Sequence, residues 1–193
     1  MCWKRDGFES HEGKVGVLLA DGSEPGPVYF DMGSGAYFHE STDWWVYTGD
    51  SHRPAATAMR GSCACGWRGE RTVPIDWKKI NPDYPHDYDV SGPERDWEAH
   101  MDDVAARAVK LPEDVDTLLS RLQERLDQLV DEHPLAVLKA VGELESAAAV
   151  FGPLATRFIT GGRQEAISQV ATALGMTEQA AGSRLRHYQH LTF

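Results

Sequence analysis

The six tryptophans of this 193-residue chain, Trp3, Trp44, Trp45, Trp67, Trp77 and Trp97, all precede residue 110. Most of the glycine and proline lies with them, and the sequence beyond is rich in Leu, Ala, Glu and Arg. A chain of this length can bury one sizeable core or two small ones, and so sharp a change of composition favours two. The sequence therefore predicts an α+β protein of two domains. Residues 1–110 form a small aromatic-rich β domain, and residues 111–193 form an all-helical bundle.

Short runs bounded by turn residues predict strands in the first domain. Residues 15–19 are followed by Asp21-Gly22, residues 28–30 follow Pro27, and residues 44–47 run into Gly49-Asp50. Residues 55–60 lead into Gly61-Ser62-Cys63-Ala64-Cys65-Gly66-Trp67, and residues 72–75 leave it. Residues 81–93 read as a Pro-rich loop, and 93–109 as a helix with Glu94 and Asp96 in its first turn. In the second domain Val115, Leu119, Leu122, Leu126 and Leu129 alternate steps of four and three. Two heptads of this pattern are read as an amphipathic helix packing within its own domain. A further helix starts at Pro134 and is expected to stop near Val150, because Gly152-Pro153 breaks it; a short helix over 154–159 ends at Gly161-Gly162.

Cys63-Ala64-Cys65-Gly66 looks like half of a zinc knuckle: thiolates bind zinc strongly, and glycine lets backbone amides turn towards the sulfurs. Four ligands are usual. His100 is the expected third, because it follows Trp97 by one helical turn. His86, in the preceding loop, is the expected fourth, with His52 as runner-up and His39 and Cys2 behind it. His11 and His39 read as ordinary surface histidines. The implied cofactor is a structural zinc ion. With only three cysteines, and no apolar core in the first residues, a disulfide framework and a secretory leader are not expected. No run of eighteen apolar residues occurs, so no membrane span is expected and the compartment is read as cytoplasmic.

Residues 164–190 predict a helical pair. Ala166, Ile167, Val170, Ala171 and Leu174 share one face of the first helix. Gly175 suits a left-handed turn, and Thr177 suits the cap of the second helix. There Ala181, Leu185 and Tyr188 face inward, and Gln179, Ser183, Arg186 and His190 face out. Ala173-Leu174-Gly175-Met176-Thr177, followed by Ser183-Arg184-Leu185, resembles region 4 of bacterial sigma factors and the LuxR-type helix-turn-helix. The match covers about 27 residues. The resemblance implies a second helix in the major groove, with Thr177, Gln179, Gly182, Ser183 and Arg186 near DNA. Gly182 departs from those families, which commonly carry a larger, often basic side chain there. In the first domain Cys63-Ala64-Cys65-Gly66-Trp67-Arg68-Gly69, Pro74-Ile75-Asp76-Trp77 and Ser91-Gly92-Pro93 with Trp97-Glu98-Ala99-His100 resemble a pattern of actinobacterial proteins, which implies no activity.

Net charge weighs on the functional reading. Thirty acidic against 19 basic residues give −11, which opposes nucleic-acid binding. The distribution is uneven: residues 111–145 carry nine acids and three bases, while 157–193 carry four arginines against Glu165 and Glu178. The reading is a transcriptional regulator that binds DNA through its C-terminal helices. RNA polymerase or another protein, and a second copy of the chain, are further expected partners. A protein adaptor acting on the transcription machinery is the alternative. No phosphate loop, His-Glu-x-x-His helix or nucleophile elbow occurs, so no catalytic residue and no enzymatic activity are expected. A zinc hydrolase using Glu9 and Glu12 beside His11 stays as a minor alternative.

Overall fold

The computed structural model describes residues 2–31, 38–159 and 161–190. The protein is α+β and divides into two compact units, residues 1–106 and 107–193. Among the described residues the first contains the strands β1 (Cys2–Trp3), β2 (Gly13–Leu18), β3 (Val28–Asp31), β4 (Phe38–Ser41), β5 (Ala58–Cys63) and β6 (Val73–Pro74). Four of them form an antiparallel sheet in the order β1-β2-β5-β6, and β3 pairs with β4 separately. Along β2 Val15 and Val17 are buried while Lys14 is exposed, the period of two expected of a strand with one dry face. The register sets Gly13 opposite Cys63 and opposite Trp3.

Helix α1 (Ser91–Arg107) covers this sheet with Pro93, Trp97 and Met101, a stripe at intervals of four. Trp97 and Trp3 stack obliquely with ring centres 5.9 Å apart. The indole lies so close over β2 that a Cβ at Gly13 would stand 2.5 Å from it, and only glycine leaves room for this packing. Residues 44–47, expected as a strand, instead contain a short 3-10 turn over Trp44–Val46. Trp44, Val46 and Tyr47 are all buried, and Trp44 packs on Tyr88 and Trp77. Aromatic density here reflects a core-filling turn, in which strand alternation has no meaning.

The second unit holds α2 (Glu113–Val130), α3 (Pro134–Thr156), α4 (Arg163–Leu174) and α5 (Glu178–His190). The break expected at Gly152-Pro153 does not occur: α3 runs through it. Proline forfeits one amide hydrogen bond, and packing offsets the loss. Pro153 is buried, and the ring of Tyr188 of α5 lies so close to Gly152 that it leaves no room for a Cβ there. Val170, Ala171 and Ala181 form the centre where α4 meets α5, with Ile159, Ile167, Met176 and Leu185 around them. Between these helices Gly175 takes φ 58° and ψ 45°, the left-handed conformation that closes a helix cheaply only in glycine. Thr177 then caps α5, its hydroxyl accepting from the Ala180 amide at 3.2 Å. No residue of α2 is buried. Among the described residues, no helix is long and apolar enough to cross a membrane.

Candidate metal centre

β5 ends at Cys63, and the chain turns at once. The Gly66 amide donates to the Cys63 carbonyl at 2.9 Å, the Cys63 amide to the Trp67 carbonyl at 3.0 Å, and Gly66 takes φ 95°. This turn points both sulfurs to one side and lets the Trp67 amide donate to Cys65 Sγ at 3.4 Å. The Ala64 amide donates to the Glu12 carbonyl at 2.9 Å, fastening the turn beside the entry to β2. His11 lies just there, two residues before Gly13, whose register partner is Cys63. α1 brings His100 from the other side. Its ring stacks flat on Trp67, with centres 4.5 Å apart and planes 7° from parallel.

One ligand atom each from His11, Cys63, Cys65 and His100 lies within 4.8 Å of all the others. Cys63 Sγ stands 3.5 Å from His11 Nδ1, and Cys65 Sγ stands 3.4 Å from His100 Nε2. Bond lengths of ~2.3 Å to sulfur and ~2.0–2.1 Å to nitrogen, at the tetrahedral angle, separate such a pair by roughly 3.5 Å. The donor set therefore fits a four-coordinate metal ion. His11 and Cys63 are buried, His100 is half-buried and Cys65 is exposed, so the centre lies at the rim of the first unit's core. His11 Nε2 is buried without a hydrogen-bond partner among the described residues.

The two thiols share a proton. The hydrogen bond with Cys65, together with burial, pushes Cys63 far up. The same bond seen from Cys65, with the Trp67 amide and the His100 ring, brings that thiol down to about 4. Without metal the pair therefore holds one thiolate at neutral pH, and it is the more exposed of the two.

The structure brings Cys63, Cys65 and His100 together as expected from their spacing, but it does not bring His86 to them. His86 lies exposed in the short 3-10 turn Pro85–Asp87, its ring 6.0 Å from Tyr84 and its Nε2 3.6 Å from Asp87. The cause is the path of the chain: residues 81–90 run beside Trp44 and Trp77, with Tyr88 holding them there, and not beside the Cys turn. His52 sits in a left-handed turn at φ 65°, and His39 lies beside Phe30 on the separate two-stranded sheet. Cys2 is exposed, its thiol held up by the Glu12 carboxylate. His11, which reads in sequence as a surface residue, takes the fourth place. Glu9 turns back to accept from the Gly7 amide at 3.0 Å.

In the second unit Gln179, Ser183 and Arg186 are exposed on α5, and Arg186 donates to the Ser183 hydroxyl at 3.0 Å. Thr177 and Gly182, grouped with them in the sequence reading, are buried. Thr177 faces the helix end it caps, and Gly182 packs on Ile167 of α4. No protein-family model, curated protein or solved structure matches this chain.

Proposed function

We propose that this chain is a zinc-containing transcriptional regulator, with one structural zinc closing the first unit and the α4–α5 pair of the second binding DNA. The observation that carries the reading is the convergence of His11, Cys63, Cys65 and His100 within 4.8 Å. Two thiolates and two imidazoles are a preferred zinc set, and four protein ligands leave no open position for a reacting water. Zinc here ties together β2, β5 and α1, elements far apart in sequence, and its binding energy is folding energy.

For DNA, support comes from the left-handed turn at Gly175, the Thr177 cap and the small Ala171 and Ala181 where the helices meet. These arrange α5 with Gln179, Ser183 and Arg186 outward, as a helix entering a major groove requires. A second copy of the chain is the protein partner this reading implies. Leu118, Leu135 and Leu138 of α2 and α3 are 65%, 79% and 66% exposed, a face that the chain's own core leaves uncovered.

The test is a salt titration of duplex binding by the full chain after purification with its metal. A decline in log affinity with log salt, made shallower by about one unit in Arg186→Ala, is the expected result. Thermal stability should not change in that variant, since the side chain is exposed. No duplex binding at low salt would overturn the DNA half. Protein without stoichiometric metal, folded equally well with chelator present, would overturn the zinc half.

A further inference from the structure

An open cavity of about 500 Å³ lies wholly within the second unit, where the end of α3 meets α4 and α5, and neither the metal centre nor duplex binding accounts for it. Its lining is mixed: Ile159, Ile167 and Leu185 supply apolar wall, and Arg157, Arg163 and Arg186 all line it. Among the described residues, no Asp or Glu lines it. The Glu165 carboxylate lies against Gly161, one of the lining residues. Among the described residues, the ion pairs of the chain leave all three arginines out, and Arg186 has only the Ser183 hydroxyl. Three arginines thus line one cavity without an ion-pair partner among the described residues, and this in a chain whose net charge is −11. Such a cluster is relieved by an anion, and guanidinium forks match phosphate oxygens in pairs. The volume falls in the range of small-molecule sites, ~300–1,000 Å³. Gly182 lines the same cavity and is what keeps it open. A Cβ there would rest 3.5 Å from Ile167 and 3.6 Å from Arg186 in ordinary contact, and a longer side chain would extend between them.

We infer that this cavity binds a small phosphate ester, with its phosphate on Arg157, Arg163 and Arg186 and an apolar body against Ile159, Ile167 and Leu185. The site belongs to an effector and not to the metal, and it stands whether or not α5 binds DNA. Arg186 is shared with the duplex reading, so the test relies on Arg157 and Arg163. Calorimetric titration of the full chain with 1-naphthyl phosphate should show one site. Inorganic phosphate and 1-naphthol, each lacking half of the recognition, should bind about tenfold more weakly or worse. The Arg157→Ala/Arg163→Ala variant should lose about tenfold or more in affinity for 1-naphthyl phosphate, with its helical melt unchanged. Gly182→Ala should still bind, and Gly182→Leu should not. Equal binding of 1-naphthol and its phosphate would overturn the proposal, as would equal binding of inorganic phosphate or an unaltered affinity in the double arginine variant. Binding of 1-naphthyl phosphate in a protein that fails to bind duplex would uphold this site and remove only the DNA reading.

Discussion

His11 and His100 reach the same centre by different means, and the difference tells how each responds to mutation. His11 is held by burial beside the sheet, its amide donating to the Phe8 carbonyl at 2.8 Å. His100 is half-exposed and depends on the flat face of Trp67 for its orientation. Trp67→Leu should therefore weaken zinc binding by roughly 10–100-fold, as loss of an outer-shell partner does. His11→Ala should weaken it further, and His86→Ala should leave it unchanged; competition with a chromogenic chelator measures all three. The shared thiol proton makes a second prediction. Each ligand binds in its deprotonated form, and Cys65 is already a thiolate above pH about 4 while Cys63 keeps its proton. The thiols should thus release about one proton per zinc at neutral pH, where two ordinary thiols would release about two. Calorimetry in buffers of different ionisation enthalpy reads this number, and affinity should fall as the pH is lowered. The ligands Cys63, Cys65 and His100 were legible because a Cys-x-Cys-Gly turn and a helix one turn past Trp97 are local facts. His11 was not, since its place depends on β2 pairing antiparallel with β5 in the register that sets Gly13 against Cys63, and no local pattern encodes that register.

Between elements, the same contrast between local and non-local signals recurs. α2 begins after Pro112 with Glu113, Asp114 and Asp116 in its first turn, which suits the positive end of a helix, and its leucine spacing is visible in the chain itself. The turn at Trp44–Val46 and the passage of α3 through Gly152-Pro153 run against local rules, because tertiary packing on Tyr88 and Tyr188 decides both. The joint between α4 and α5 is a place where the local rule has a measurable cost. Gly175 sits at φ 58°, so Gly175→Ala should destabilise the second unit by ~1–2 kcal/mol, the cost of a left-handed conformation for a residue with a Cβ. A circular-dichroism melt of the helices would show it. An unchanged melting temperature would mean that the turn relaxes without loss.

At the scale of the whole molecule, the two units are unequal in what they bury. The first has a core containing Trp3, Trp44, Tyr47, Met59, Trp97 and Met101, whereas that of the second centres on Val170, Ala171 and Ala181. Burial of a large apolar side chain contributes about 1.5–3 kcal/mol, so the helical unit has few such contributions of its own. Its exposed leucines are the complement of this deficit, and a second copy covering them would supply it. Light scattering should give twice the mass of the chain, and Leu118→Glu with Leu138→Glu should return it to the mass of one chain with little loss of helix. A single-chain mass for the unmodified protein would remove the second copy from the functional reading. The order of the ligands along the chain has a consequence for synthesis. His11, Cys63 and Cys65 leave the ribosome first, and His100 follows Cys65 by 35 residues. At ~5–20 residues per second, roughly 2–7 s separate them. Through that interval the nascent chain carries two neighbouring thiols without the helix that brings His100, so oxidation during translation would prevent the centre from forming before its last ligand has been made.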